Sequence, residues 1–183
     1  PIKLAAISNM WRYDEPQHGR YRCFYQWDAE IFGSPLPDAD AEIIALSMDI
    51  LDSLGLKDYT VRVSSRKIAE GFLNSLGVDS SKIEDILRVI DKYRKIPGEK
   101  LRAELTAKGI TSEKLDQLLD FISIQDSPEK AWSRISEINV QNEVFRFGAE
   151  ELFKAVDSLK TLKWDNRVLI DLSIVRGLGY YDG

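Results

Sequence analysis

The chain has 183 residues, 44% hydrophobic and 30% charged, a balance that fits a folded soluble protein and excludes a disordered or fibrous one. One cysteine and one histidine exclude an internal disulfide framework and a Cys- or His-rich zinc centre, and the expected home is the reducing cytoplasm. A net charge of -5 argues against a generally basic nucleic-acid binder, and no apolar run approaches the roughly 20 residues of a membrane helix, so no membrane partner is expected.

Residues 3–12 are mostly apolar and predict a strand ending in Met10-Trp11-Arg12. Asp14-Glu15-Pro16-Gln17-His18-Gly19 is a run of turn formers. Residues 20–32 then resume as a second strand with period-two alternation. Successive strand side chains point to opposite faces. Tyr21, Cys23, Tyr25, Trp27, Ala29 and Ile31 therefore share one face, and Arg20, Arg22, Phe24, Gln26, Asp28 and Glu30 share the other. Pro35 and Pro37 break the strand. Asp38 or Asp40 is expected to cap a helix of about residues 41–54, with Ile44, Met48, Leu51 and Leu54 at helical spacing and Gly55 as its stop. Tyr59–Val63 is a short β-rich run.

From about residue 66 to residue 162 the pattern is helical. Ile83, Ile86, Leu87 and Ile90 form one stripe behind a Ser80/Ser81 cap, and Leu115, Leu118, Leu119 and Ile122 another behind Thr111/Ser112. Leu152, Phe153, Val156 and Leu159 form a third, and Pro97 and Pro128 read as first-turn prolines. A strand returns at Arg167–Leu172. It is followed by Ser173-Ile174-Val175-Arg176-Gly177-Leu178-Gly179-Tyr180-Tyr181-Asp182-Gly183, whose glycines beside an arginine and two tyrosines suggest backbone approaching a ligand. The expectation is an α+β fold in three parts: a partial sheet core over 1–65, a mostly helical insertion over 66–165, and a return to the core sheet over 166–183.

The first ribbon concentrates Arg12, Arg20, Arg22, Gln26 and Glu30 beside Phe24. Arginine forks match phosphate geometry, an aromatic ring offers a platform for a purine, and a carboxylate holds a cationic group. Together these groups describe a nucleotide site with a neighbouring amino-acid pocket. Neither a Gly-x-x-x-x-Gly-Lys loop nor the Rossmann glycine fingerprint is present.

The segment from Met10 to Gly33 resembles the second signature motif of class II aminoacyl-tRNA synthetases in its histidyl form, and Val175–Tyr181 resembles the histidine-specific motif of histidyl-tRNA synthetases. The resemblance spans essentially the whole chain. It implies a class II synthetase-like antiparallel sheet core, here partial, with an inserted all-helical domain. It implies a histidine–tRNA ligase that uses ATP with magnesium, forms histidyl-adenylate, transfers histidine to tRNA(His), and acts as a cytoplasmic homodimer. Arg12 matches the arginine gripping the α-phosphate and the histidine carboxylate. Phe24 matches the ring stacked on adenine, and Asp14 falls where the family carries a glutamate that recognises the adenine amino group. Arg20 matches a loop arginine directed at the outer phosphates. Gln26 and Glu30 match residues of the histidine pocket, Arg176 the arginine that neutralises the α-phosphate during attack, and Tyr180 and Tyr181 the tyrosines lining that pocket.

Three positions depart from the family pattern. Cys23 stands for a glutamate or glutamine and points away from the ligand face, Glu15 replaces a common arginine, and Gly179 replaces an aspartate. The family's first motif, its early histidine-binding loop, its third motif and its anticodon-binding domain have no counterpart in these residues, so the expectation is a central portion of a longer enzyme or a degenerate relative. Two other assignments fit the same resemblance. One is a synthetase-like regulatory subunit of ATP phosphoribosyltransferase, favoured by Gly179 and disfavoured by the long insertion. The other is a synthetase-like sensor module fused to a kinase.

The remaining conspicuous residues read as structural. The basic cluster Lys92, Arg94, Lys95, Lys100, Arg102 and Lys108 reads first as a solvated helix face and second as an RNA contact. Arg62 and Arg66 are expected to anchor the strand–helix junction, Trp132 and Trp164 to pack, and His18 to sit at an exposed loop tip. A buried ion pair with Asp171 is the structural alternative for Arg176.

Overall fold

The computed structural model describes residues 1–175. Strands β1 (Ile2–Trp11) and β2 (Cys23–Phe32) form an antiparallel ribbon paired from Ile2 opposite Phe32 to Trp11 opposite Cys23. One further bond, from the Arg12 N–H to the Arg22 carbonyl (2.9 Å), extends the ladder to the loop. Arg20 lies outside β2. It sits in the loop, where it pairs with Gln17 across a turn that Gly19 makes possible at φ +76°. Directly opposed residues share a face, so Ser8 and Met10 join Gln26 and Phe24 on the even-numbered side.

Helix α1 (Pro37–Ser53) packs behind the ribbon, where Lys3 of the odd-numbered side reaches Glu42 at 2.6 Å. The helix begins four residues earlier than its periodicity predicts. Pro37 supplies a preset φ for the first turn, and Asp38 and Asp40 sit inside that turn, against the positive end of the helix dipole, rather than at the cap.

After β3 (Val61–Val63) the chain runs through α2 (Arg66–Ser75), α3 (Ser80–Ile90), α4 (Gly98–Ala107), α5 (Ser112–Ile122), β4 (Gln125–Asp126), α6 (Pro128–Glu137) and α7 (Glu143–Thr161), and returns as β5 (Val168–Asp171). Asp79, not Ser80 or Ser81, caps α3 by accepting from the Ser81 N–H. Pro97 is the N-cap of α4, one position outside the helix, whereas Pro128 does open α6. The stripes at Ile83, Ile86, Leu87 and Ile90, and at Leu115, Leu118 and Ile122, are buried in one core, in which Phe72 and Phe121 stack at 4.1 Å.

Helix α7 joins this block to the rest. On one side it crosses α2 with almost no gap: a Cβ on Gly71 would lie 2.4 Å from the Phe145 nitrogen, and one on Gly148 2.6 Å from Lys67 Cβ. On the other it packs on α1, with Ala41, Ala45 and Met48 against Leu159 and Val168. Strand β5 lies between β3, its parallel neighbour, and β4, its antiparallel one. Parallel neighbours require a crossover, and the helical block is that crossover.

Candidate active site

The ribbon brings Arg12, Phe24 and Gln26 together at the loop end of its even-numbered face. The Arg12 guanidinium lies 5.4 Å from the centre of the Phe24 ring and donates from Nη2 to Gln26 Oε1 at 2.8 Å. Gln26 Nε2 in turn donates to Asp28. The planar fork is thus held against an aromatic face by a neutral amide, which leaves its charge intact. Phe24, Gln26, Asp28 and Glu30 are half-buried along the strand, and Arg12 is exposed at its end. In the loop, Arg22 donates to the Asp14 carbonyl (3.0 Å) and lies over the Tyr13 ring at 4.9 Å. Arg20 is exposed beside it. Among the described residues Arg12, Arg20 and Arg22 have no ion pair. Arg176, Tyr180 and Tyr181 lie outside the described residues.

The opposite face carries Cys23, exposed, its thiol donating to Asn9 Oδ1 at 3.2 Å. His18 is exposed at the loop tip.

Two charge clusters lie outside the ribbon, one of them around the Asp171 for which the sequence offered Arg176 as an ion-pair partner and next to the Arg62 expected to anchor the strand–helix junction. In the first, Asp52 of α1 accepts from Arg167 and from the Tyr59 hydroxyl (2.9 Å), and Arg167 lies over the Tyr59 ring at 4.7 Å. The Arg167 hydrogen bond holds the Asp52 carboxyl below its ordinary value. In the second, Asp171, fully buried at the end of β5, accepts from the Ser173 N–H (3.1 Å) and hydroxyl (2.6 Å) on one oxygen. Its other oxygen pairs with Arg94 (3.0 Å) and Arg62 (3.5 Å). Burial pushes this carboxyl up, but the bonds from Ser173 and Arg94 outweigh it and the net shift is down. The Asp-x-Ser spacing is the one sequence signal that could have marked it, since Asp side chains bond backbone N–H groups two residues on.

The basic cluster of the helical block is neutralised in place. Lys92 pairs with Glu104 (2.9 Å), Lys95 with Asp91 (3.0 Å), Arg102 with Asp116 (2.8 Å) and Lys108 with Asp85 (2.7 Å), and Arg94 is the partner of Asp171. Lys100 has no ion pair among the described residues. Arg66 joins Glu70 (2.6 Å) to Glu84 and so ties α2 to α3. Trp164 packs half-buried on the α1–α7 core, whereas Trp132 stands 45% exposed, edge-on to Phe153 at 4.6 Å.

A family model described as histidyl-tRNA synthetase matches residues 1–183. The histidine–tRNA ligase of Aeropyrum pernix is 40% identical over 100% of this chain and 41% of its own length. That of Gloeobacter violaceus is 36% identical over 100% of this chain and 39% of its own. A crystal structure of histidyl-tRNA synthetase from Nostoc sp. PCC 7120 superposes with a TM-score of 0.90 at 28% identity, covering 99% of this chain and 42% of that one. A Bacillus halodurans protein described as an ATP phosphoribosyltransferase regulatory subunit/histidyl-tRNA synthetase shares the fold, with a TM-score of 0.78 at 21% identity. The chain therefore spans about two fifths of the length of the ligases it matches. A ribbon whose arginines have no ion pair among the described residues and lie beside an aromatic ring, a helical crossover and a match along the whole chain lead to one conclusion: this chain belongs to the histidyl-tRNA synthetase family.

Proposed function

We propose that this chain is the central portion of a cytoplasmic, homodimeric histidine–tRNA ligase that activates histidine with ATP and transfers it to tRNA(His), with 1–65 and 166–183 serving the catalytic core and 66–165 the insertion. The observation that carries the reading is the group formed by Arg12, Phe24 and Gln26: a permanently charged fork held by a neutral partner against a ring. Adenylate formation joins a carboxylate oxygen to the α-phosphorus and expels pyrophosphate, so negative charge builds on the α-phosphoryl oxygens. A preorganised guanidinium stabilises that charge where water is excluded.

Each residue then has a defined task. Arg12 bridges the α-phosphate and the histidine carboxylate. Phe24 stacks on adenine and Asp14 accepts from its amino group, while Arg20 takes the outer phosphates. Gln26 and Glu30 receive the amino-acid end and the ammonium or imidazole of histidine. Arg176 neutralises the α-phosphate during attack, and Tyr180 and Tyr181 line the histidine pocket. Magnesium enters on the triphosphate, as this ion binds through substrate phosphates and water with one or two carboxylates.

Histidine-dependent ATP–pyrophosphate exchange by the full-length protein tests the reading. Exchange is expected in the wild type and is expected to fall by about 10²–10³ in Arg12→Ala, the effect of losing one charge-stabilising donor. Exchange indifferent to Arg12 contradicts the role. No exchange together with copurification of a phosphoribosyltransferase supports the regulatory-subunit alternative instead.

A further inference from the structure

Strand β5 ends five residues before Arg176, and what anchors this approach comes largely from the helical block. Ile170, Leu172 and Val175 are at most 2% exposed, and all three belong to the core built by α2–α7. The Leu172 N–H donates to the Ile124 carbonyl at 3.0 Å, and β4 pairs with β5. Asp171 gathers the rest. Through Ser173 it closes the turn that follows the strand, and through Arg94 it is tied to the segment after α3. The same Arg94 nitrogen also donates to Gln125 Oε1 of β4 at 2.6 Å. One guanidinium thus fastens β4, β5 and the helical block at a single point.

We propose that Arg94 and Asp171 are positioning residues for adenylate formation: the helical block, through Arg94, fixes where β5 delivers the chain to Arg176. The inference rests on the assignment of Arg176 to the α-phosphate. It gives the insertion a part in the chemistry that needs no RNA. An interaction that orders a transition-state group changes kcat and leaves ground-state binding alone, and a small misplacement of a reacting group lowers the rate by up to about 100-fold.

The test is histidine-dependent ATP–pyrophosphate exchange by the full-length protein without tRNA, for Arg94→Met, Arg94→Lys and Asp171→Asn. Arg94→Met keeps the aliphatic stem and removes the fork. It is expected to lower kcat by about 10- to 100-fold, with KM for ATP and histidine within about twofold, in assays run well below the melting temperature, which falls because the buried Asp171 carboxylate loses its nearer partner. Arg94→Lys is expected to recover part of kcat by restoring the charge. If Asp171→Asn does not fold, Arg94→Met carries the test alone. Wild-type kcat in Arg94→Met, or a loss confined to KM, overturns the positioning role. A wild type that supports no exchange overturns the ligase reading and this proposal with it.

Discussion

The loop end of the ribbon and the end of β5 use arginine in opposite ways. At β5 the cations Arg62 and Arg94 close on one buried carboxylate, and nearby Arg167 closes on Asp52. At the ribbon Arg12 and Arg22 meet rings, an amide and a backbone carbonyl, and neither they nor Arg20 meets an acid among the described residues. A guanidinium matched by a carboxylate holds elements together. One left unmatched at an exposed site is available to an anion from solution, and a triphosphate supplies that charge. In a chain of net charge -5 this separation is informative, because nearby carboxylates are plentiful.

The sharpest way to break the contrast is to truncate one arginine of each kind. Arg12→Ala is expected to raise the barrier to exchange by about 2.7–4 kcal/mol and to leave the melting temperature of the full-length protein where it was. A fall in stability comparable to the fall in rate would place Arg12 with the architectural cations. Asp171→Ala is expected to lower stability at β5 as well as the exchange rate. Removing a buried carboxylate strands its partners, and the loss is set at about 3 kcal/mol, the low end for such pairs, because Arg62 and Arg94 are half in solvent and can rehydrate. Amide hydrogen exchange at residues 168–171 reads this loss as faster local opening.

Two smaller effects sharpen the comparison. Gly71→Ala drives a methyl into the backbone of Phe145 and is expected to destabilise the α2–α7 crossing by about 1–3 kcal/mol, while Gly98→Ala, with nothing within 4 Å, is expected to be neutral or stabilising by at most about 1 kcal/mol. A thermal melt of each variant distinguishes them. Acid is expected to act on the Asp171 pair. The folded Asp171 carboxyl sits below its ordinary 3.8, so its contribution is complete above that value and is lost as pH falls through the lower folded one. Exchange protection of β5 is therefore expected to weaken below about pH 4 in the wild type, and this part of the acid response should vanish in Asp171→Asn.

The ribbon was legible in the sequence because strand alternation sorts side chains by parity: Phe24, Gln26, Asp28 and Glu30 had to share a face once residues 23–32 were extended. The helical stripes were legible for the same reason at a different period. Boundaries were less so. Asp79 outcompeted two serines as a cap, and β4 is two residues long, too short for any periodicity. The partnership of Arg94 with Asp171 was not legible. The two are 77 residues apart, and only the folded path of α3–α7 decides which cation reaches a buried acid. Arg94 accordingly read as one member of a basic run.

The ribbon's even-numbered face is the proposed nucleotide site. A crystal structure of the full-length protein with ATP and histidinol tests this most directly. The expected result is adenine stacked on the Phe24 ring, with Arg12 in charge-assisted contact with the α-phosphate at about 2.7–2.9 Å. A nucleotide bound elsewhere, with Arg12 still held by Gln26 and facing solvent, would contradict it.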